Sequence, residues 1–408
     1  MGEIRQPLHV LYLHPAAAYG GASKSLVELF RGFPEQVVNA TVVCPSGQAA
    51  DQFRRAGMEV IECRGLSQWD NTRFGYYRGR RWLVLLRELL LWLPTLLTLL
   101  RVRRHGGFDL IHANEITLLP VALYAQRILK LPLVVHVRSL QCMPGSGFIT
   151  DRVNRMLGRV QAVIAIDRTV ARTLPEQIGA VVIHNGISPP GNDGREDDRP
   201  EGRPMRVAMV GGLLRMKGVY EFAEAARMCR DRGLAVEFLL AGENPRNLRG
   251  VMKWCMGWMG LAHDVRADLE RFIRQNELED TVKLLGFVGD VHAFYRDIDL
   301  LCFPSHLDAA GRPVFEAAFH GVPSLVAAAD PEPDTIINGE TGLCIAPRDP
   351  SAIADAVACL ANDRGELSRL GKNARRLAAE NFDSGRNAER MLELYRRLLT
   401  PLPPGAEG

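Results

Sequence analysis

Two acidic residues and a glycine lie close together in one segment that follows an apolar run. An apolar run ends at Pro304, Asp308 follows in a polar segment, and Glu316 lies eight positions later in a helical segment. Gly311 lies between the two acids, where free backbone amides can face phosphate. Because carboxylates accept hydrogen bonds from hydroxyl groups, the pair can bind sugar hydroxyls at one end and ribose hydroxyls at the other.

Two cations occupy a second candidate position. Arg215 and Lys217 follow the predicted strand Arg206–Val210 and precede a helix, so they lie at a strand-to-helix turn and can neutralise a diphosphate. Solvated surface charges are the alternative interpretation. A similar turn at Gly20 and Gly21 follows the first strand without the full GxGxxG pattern, and a plain tight turn explains it equally well.

Parallel sheets are expected to position these residues. Short apolar runs alternate with helical segments such as Lys24–Phe30 and Pro120–Leu129, as in βαβ units. Runs that are apolar throughout favour sheets covered on both faces. The predicted strands are Leu8–Leu13, Ala40–Cys44, Leu110–His112, Leu133–Val137, Ala162–Ile166, Val181–His184, Arg206–Val210, Val236–Ala241, Val282–Leu285, Leu300–Phe303 and Ser324–Ala327.

The stretch Pro189–Pro204 interrupts this alternation. It is rich in Pro, Gly and charged residues and has no apolar run, which indicates an exposed linker. The sequence therefore predicts an α/β protein of two doubly wound, Rossmann-like domains. The predicted segments are a first domain at 1–190, a linker at 191–204, a second domain at 205–382, and a terminal helix and tail at 383–408.

Composition limits the classes of function. A chain of 408 residues with a net charge of +3 fits two globular domains and requires neither nucleic acid nor another polyanion as partner. The eight cysteines have no CxxC spacing, so we expect reduced thiols in a cytoplasmic protein. The first apolar stretch is too short for a signal peptide. No dense His, Cys or carboxylate cluster predicts a metal or another cofactor.

The acidic segment resembles the signature of glycosyltransferase family 4, whose members are retaining enzymes of the GT-B fold. That signature is Glu, seven residues, Glu and Ala, with Gly-x-Pro further on. This chain has Asp308, Glu316, Ala317 and then Gly321-Val-Pro. The resemblance extends over nearly the whole chain. Further family-like segments are Gly20-Gly21, 108–113, 182–187, 210–218, 286–288 and 339–343.

The resemblance implies two domains that face each other across a cleft, with the acceptor bound mainly by the first and the donor by the second. Gly20 and Gly21 would close on the donor's diphosphate from the first domain. The other implied donor ligands are Lys217 and Arg215 for the diphosphate, Gly311, Arg312, Pro313 and Val314 for the β-phosphate, Glu316 for the ribose, Asp308 for the sugar, and groups around Val288 for the nucleobase.

The chain departs from the family pattern at three positions. Asp308 is one methylene shorter than the usual Glu, which changes its reach to the sugar. Gly212 stands where many members have Arg, so Arg215 would supply the missing cation. Arg138 occupies the place of a His that follows the strand Leu133–Val137 in many members. His136, on the same side of that strand, is either the catalytic substitute or a core histidine.

The resemblance implies a retaining enzyme that moves a sugar from a UDP- or GDP-linked donor to a lipid-linked or cell-surface glycan acceptor. The departing phosphate would accept the acceptor's proton, and catalysis would depend on electrostatic stabilisation and positioning, without a required metal. Two other classes stay open. One is a sugar-nucleotide epimerase of the same architecture, and the other is a non-catalytic binding or scaffold subunit.

Residues Trp82–Arg104 form a leucine-rich stretch flanked by arginines. Two charges and Pro94 argue against a transmembrane helix. One interpretation is a core helix, and the other is an interfacial helix anchored by Trp82 and Trp92 on the inner face of the cell membrane. Val251–Met259 is a second aromatic candidate. The residues that share an arc of roughly 140° on a helical wheel are Arg87, Glu88, Thr95, Thr98 and Arg101.

Overall fold

The chain divides into two compact units in the computed structural model. The first contains residues 1–188 and 383–408, and the second contains residues 189–382. The structure describes residues 7–73, 75, 83–191, 202–244 and 264–400. Trp82, most of the predicted linker and the Val251–Met259 segment lie outside these ranges.

The first unit contains a seven-stranded sheet in which all described strand pairs are parallel. The strand order is β3-β2-β1-β4-β5-β6-β7, so the order reverses between β1 and β4. The strands are β1 (Leu8–Leu13), β2 (Val38–Pro45), β3 (Glu59–Cys63), β4 (Leu110–Ala113), β5 (Leu133–Val137), β6 (Ala162–Ala165) and β7 (Val181–Val182).

The second unit repeats this design with a six-stranded parallel sheet. Its order is β10-β9-β8-β11-β12-β13, with the reversal between β8 and β11. The strands are β8 (Met205–Val210), β9 (Val236–Ala241), β10 (Val282–Gly286), β11 (Leu300–Phe303), β12 (Ser324–Ala327) and β13 (Gly342–Ile345).

Helices connect the strands in both units. Short 3₁₀ turns lie at Ile116–Leu118, Glu176–Ile178 and Arg215–Lys217. The α-helices are α1 (Gly21–Gly32), α2 (Gln48–Arg55), α3 (Leu83–His105), α4 (Leu119–Leu129), α5 (Phe148–Leu157), α6 (Arg168–Ala171), α7 (Val219–Asp231), α8 (Val265–Gln275), α9 (Val291–Asp297), α10 (Arg312–Phe319), α11 (Pro350–Asn362), α12 (Arg364–Asn381) and α13 (Ser384–Leu399).

Central strands are buried on both faces, as their continuous apolar runs predict. Every residue of β5 and β11 is buried, and separate apolar clusters cover the two faces of the first sheet. The predicted α/β class with two doubly wound sheets is confirmed, and each predicted strand is present with small shifts of its ends. The structure adds two strands at sheet edges, β3 and β13.

Helix α3 is oriented with polar side chains toward the protein. Glu88, Thr95 and Thr98 are buried, the Glu88 carboxylate accepts a 2.7 Å hydrogen bond from the Gln68 amide, and Thr95 Oγ1 accepts one of 3.0 Å from the Ser67 amide. The leucine face points outward. None of the described helices is long and apolar enough to cross a membrane. The exposed apolar residues of α3 are Leu86, Leu89, Leu90, Trp92, Leu93, Leu97 and Leu100.

The terminal helix α13 completes the first unit and packs against α1. Gly32 of α1 lies so close to α13 that an added Cβ would stand 2.5 Å from the Ser384 carbonyl oxygen. Inside this contact, the Tyr395 hydroxyl lies 2.6 Å from His112 Nδ1 and 3.2 Å from the Tyr12 hydroxyl. All three side chains are fully buried, so each depends on the others for hydrogen bonds.

We expect Tyr395→Phe to destabilise the first unit by about 1–3 kcal/mol, because His112 and Tyr12 would lose a buried hydrogen-bond partner. The measurement is urea unfolding followed by circular dichroism. Tyr124→Phe is the matched control, since its ring contacts Trp92 and no described residue hydrogen-bonds its hydroxyl. Equal unfolding midpoints for the two variants would contradict the expectation.

Candidate functional site

The strand reversal in the second unit brings two loops to one place. The chain leaves β8 for β9 and β10 on one side of the sheet, and β11 begins the other side. The loops after β8 and β11 therefore begin side by side at the carboxyl edge of the sheet and lead to opposite sides of it. A crevice lies where they separate. This is the position at which open α/β sheets bind ligands. The structure brings Arg215, Lys217 and Asp308 to this edge.

Lys217 is a half-buried cation in this crevice. Its Nζ lies 5.3 Å from the centroid of the Phe303 ring, and burial lowers the pKa of its ammonium. Within the described ranges, neither Lys217 nor the exposed Arg215 forms an ion pair with a carboxylate. A partly desolvated ammonium without a counter-ion is unfavourable, so an anion bound here would be stabilised.

A close backbone approach holds the two loops together. Gly218 has a positive φ of 80°, and an added Cβ would stand 2.0 Å from the Pro304 carbonyl oxygen. The His306 amide donates a 2.9 Å hydrogen bond to the Met216 carbonyl. The loop carrying both cations is therefore fixed against the loop carrying Asp308.

One side-chain pair that sequence analysis missed supports the same contact. His306 Nε2 lies 2.9 Å from Glu221 Oε1, which joins the loop after β11 to α7. The second carboxylate oxygen of Glu221 is buried without a hydrogen-bond partner among the described residues. Only the position of Glu221, four residues after Lys217 on the following helix, hints at this role in the sequence.

Glu316 lies on α10 with its carboxylate buried and paired. Its side chain is 7% exposed, Oε1 accepts a 2.8 Å bond from Arg312 Nε, and Oε2 accepts a 3.0 Å bond from the Tyr295 hydroxyl. Burial, with the adjacent Glu316 charge, raises the pKa of the Tyr295 phenol, which keeps it a donor. These bonds fix the direction of the carboxylate, whose oxygens act as hydrogen-bond acceptors.

Asp308 has an unusual backbone and a fixed carboxylate. Its φ is 56°, in the left-handed region that few non-glycine residues adopt. Its Oδ1 accepts a 2.7 Å hydrogen bond from the Ala329 amide, just beyond β12. The second oxygen has no hydrogen-bond partner within the described part of the chain, so one oxygen orients the carboxylate and the other is available.

The amino end of α10 presents backbone amides at the same edge. Gly311 precedes the helix, no side chain caps its first amides, and Pro313 lies in the first turn. An added Cβ at Gly311 would stand 2.5 Å from the Phe303 ring, so a larger residue would force this ring to move. Arg312 pairs with Glu316, and Val314 is buried in the helix. This amino end can hold an anion through its amides and the helix dipole.

Val288 lies in the loop after β10, at the carboxyl edge of the second sheet. The preceding Gly286 has a positive φ of 68°, and Phe287 is 82% exposed. The backbone around Val288 is therefore accessible at an edge where ligands bind.

In the first unit, Gly20 and Gly21 follow β1 at that sheet's reversal. Helix α1 begins at Gly21 without a side-chain cap, so its first amides are available to an anion. Behind this turn, His14 Nε2 lies 2.9 Å from Ser23 Oγ, and His14 Nδ1 lies 2.9 Å from Asn114 Nδ2. Burial first, and then the charge of Arg138, lower the pKa of His14 to about 3, so this ring is neutral.

His136 and Arg138 lie together but differ in environment. His136 is 3% exposed inside the sheet, and burial with the Arg138 charge lowers its pKa well below the ordinary value. Arg138 donates bonds of 2.9 and 2.7 Å to the backbone and side-chain oxygens of Asn114, and another to Asn185 Oδ1. Its guanidinium therefore ties together the loops that follow β4, β5 and β7. No motif in the sequence assigns a role to either asparagine.

Comparisons with known proteins agree with this geometry. The family profile described as "Glycosyltransferase Family 4" matches residues 19–189, and the profile "Glycosyl transferases group 1" matches residues 193–377. Together the two matches cover most of the chain, and the chain belongs to the glycosyltransferases of family 4. The predicted GT-B fold is also confirmed.

Individual relatives are distant. The chain is 25% identical over 193 residues to the capsular polysaccharide biosynthesis glycosyltransferase CapM of Staphylococcus aureus, covering 47% of this chain and 46% of CapM. It is 25% identical to a D-inositol 3-phosphate glycosyltransferase of Kribbella flavida, covering 92% of this chain and 90% of the relative. It spans about half the length of the first curated relatives it matches.

Among solved structures, Anabaena HepE in complex with UDP matches with a TM-score of 0.72 at 20% identity. The match covers 96% of this chain and 100% of HepE. At this identity the likeness supports the fold alone.

We expect Gly218→Ala to disrupt the loop carrying Arg215 and Lys217, because the new methyl group would overlap the Pro304 carbonyl. Gly233→Ala is the matched control, since Gly233 also has a positive φ but open space around it. The control should lose only about 1–2 kcal/mol of unfolding free energy, the cost of the left-handed backbone. Thermal unfolding distinguishes the two variants. Equal losses would show that the close approach to Pro304 has no energetic consequence.

Proposed function

We propose that this protein is a retaining glycosyltransferase that moves a sugar from a UDP- or GDP-linked donor to a lipid-linked or cell-surface glycan acceptor. The observation that carries the proposal is the half-buried Lys217 ammonium, which lacks a counter-ion among the described residues and lies at the strand reversal of the second unit. A diphosphate supplies the negative charge that this position requires.

Each remaining group near Lys217 suits one part of such a donor. Arg215 adds a second cation for the diphosphate, and the amides from Gly311 to Val314 suit its β-phosphate. Glu316 suits the ribose hydroxyls, and the available oxygen of Asp308 suits a sugar hydroxyl. The backbone around Val288 suits the nucleobase. HepE, which has a similar fold, was solved in complex with UDP, so UDP-sugars are the first donors to test.

The proposed chemistry needs charge stabilisation more than proton transfer by a side chain. The acceptor oxygen bonds to the anomeric carbon while that carbon's bond to the diphosphate breaks, and the hydroxyl proton passes to the departing phosphate. Negative charge grows on the diphosphate, where Lys217, Arg215 and the amino end of α10 would stabilise it. No metal is required in this proposal.

Replacing Lys217 should weaken donor binding. The test is calorimetric titration with UDP-, GDP-, ADP- and CMP-sugars. For the donor that binds, we expect Lys217→Ala to raise Kd by roughly 10- to 100-fold, the value of one charge-assisted hydrogen bond. Lys372→Ala, which removes an exposed lysine from α12 of the same unit, should leave Kd unchanged.

Glu316→Gln serves as a second variant because the amide preserves the size of the side chain beside Arg312 and Tyr295. It should weaken donor binding while the protein stays folded by circular dichroism. Wild-type protein that binds none of the nucleotide sugars would overturn the proposed function. A donor-only incubation that yields an epimerised sugar would favour an epimerase, and donor binding without any transfer would favour a scaffold subunit.

We further propose that α3 attaches the protein to the inner face of the cell membrane. Its outward face carries Leu90 and Leu93 at 70% and 63% exposure, an unusual position for large apolar side chains. The carboxyl-terminal segment Arg101–His105 places exposed cations at one end of this face, and the exposed Arg87, which is paired with the buried Glu88, lies near the other end. An apolar helix face flanked by cations suits a bilayer that contains anionic lipid.

Removing two of these leucines should release the protein from membranes. We expect the double variant Leu90→Ser and Leu93→Ser to bind phosphatidylglycerol-containing phosphatidylcholine vesicles about tenfold or more weakly, because apolar burial supplies the affinity. Co-sedimentation measures this. Leu285→Ser removes a leucine of 43% exposure from the second unit and should bind as wild type. Unchanged vesicle binding by the double variant, or self-association in place of vesicle binding by wild type, would contradict the attachment.

A further inference from the structure

Glu115 is not among the residues of the proposed donor site. It follows β4 directly, at the carboxyl edge of the first unit's sheet, and β4 is one of the two strands between which the order reverses. Open α/β sheets bind ligands at such a reversal. A half-buried carboxylate at this edge can therefore act on a bound molecule.

The Glu115 carboxylate is oriented through one oxygen. Its Oε1 accepts hydrogen bonds from the Ile116 amide at 3.0 Å, the Ser139 hydroxyl at 3.4 Å and the Arg138 amide at 3.5 Å. Its Oε2 has no hydrogen-bond partner in the described parts of the chain. The carboxylate thus has a fixed direction and a remaining acceptor oxygen.

The frame around Glu115 is built from several loops. The Arg138 guanidinium holds the side chains of Asn114 and Asn185, and Asn114 Nδ2 also donates a 3.2 Å bond to the Ala22 carbonyl in α1. The loops after β1, β4, β5 and β7 are therefore connected by hydrogen bonds around this carboxylate. A binding group held in this way loses little freedom when a ligand arrives.

We propose that Glu115 binds the acceptor, with its Oε2 accepting a hydrogen bond from the acceptor's reacting hydroxyl group. This inference rests on the proposed glycosyltransferase function and names a neutral polyol or sugar hydroxyl as the group recognised. Glu115 holds this hydroxyl in a fixed direction, and the hydroxyl proton passes to the departing phosphate as described above. The side chain binds the acceptor and does not take up the hydroxyl proton during the transfer.

The ionisation of Glu115 gives this role a pH dependence. Burial raises the pKa of its carboxyl to about 7, against the opposing charge of Arg138. A proton on Oε2 would make that oxygen a hydrogen-bond donor in place of an acceptor, so acceptor binding should weaken as the pH falls below about 7.

The buried histidines on the surrounding elements do not change their ionisation near pH 7. Burial lowers the pKa of His14, which follows β1, and of His112 on β4 to about 3, and it lowers the pKa of His136 on β5 well below its ordinary value. These rings are neutral throughout the range in which Glu115 titrates. The neighbouring segment that contacts Thr117 carries Asp70, whose carboxylate accepts the Thr72 amide.

The test compares wild-type protein with Glu115→Gln, using the nucleotide sugar that wild type binds in the calorimetric panel. The two probe acceptors are n-octyl β-D-glucopyranoside and water. We expect the variant to bind the donor as wild type does and to raise KM for octyl glucoside about tenfold, the value of a hydrogen bond to a charged group. In wild type, kcat/KM for the acceptor should rise as the pH increases through about 7, and this rise should be absent in the variant.

Glu35→Gln is the matched control, since Glu35 is an exposed acid in the turn before β2, at the opposite edge of the sheet. It should reproduce the wild-type KM and pH profile. The inference is overturned if Glu115→Gln keeps the wild-type KM and pH profile, or if donor-saturated wild type turns over with neither probe. Failure of the proposed function would give a different result, because wild type would then bind no nucleotide sugar at all.

Discussion

The direction of the strands in each sheet is the constraint on which the site depends. When every strand runs the same way, the loops that leave the carboxyl ends collect on one edge, and a reversal of strand order prevents adjacent loops from covering each other. In the second unit this happens between β8 and β11, whose loops carry Lys217 and Asp308. Glycine at position 218 then allows the two loops to touch through their backbones.

The surroundings of the buried or half-buried cations differ between the two units. In the first unit, the Arg138 guanidinium is surrounded by amide oxygens, and the nearby histidines are kept neutral by burial. The hydrogen bonds of Arg138 hold the loops after β4, β5 and β7 in fixed positions. In the second unit, Lys217 contacts an aromatic ring and has no carboxylate partner among the described residues. That arrangement leaves an electrostatic requirement that an anionic ligand can meet, which is why the donor is assigned to this unit.

Much of the fold could be predicted from the sequence because buried parallel strands have continuous apolar runs. The bounds of Leu8–Leu13 and Leu133–Val137 follow directly from such runs. The edge strand Glu59–Cys63 could not be recognised in this way, since an edge strand tolerates charged residues and this one carries Glu59 and Glu62. The second strand that the sequence did not predict, Gly342–Ile345, is only four residues long and begins with glycine.

The site was predictable only where its residues belong to one continuous motif. Asp308 and Glu316 share a segment, but the bond from Ala329 to Asp308 and the pair of His306 with Glu221 join residues distant in sequence. The same limit applies to α3. Its composition was visible in the sequence, whereas the inward direction of Glu88 and Thr95 follows from hydrogen bonds to an earlier loop.

The central claim is that a nucleotide diphosphate binds at the strand reversal of the second unit. Hydrogen–deuterium exchange of the wild-type protein, without nucleotide and with UDP, GDP or ADP, tests it most directly because the readout is local. The account predicts slower exchange with UDP in the segments 211–218 and 304–316, with little change in β12 and α12. Protection elsewhere, or no protection by any nucleoside diphosphate, would contradict it.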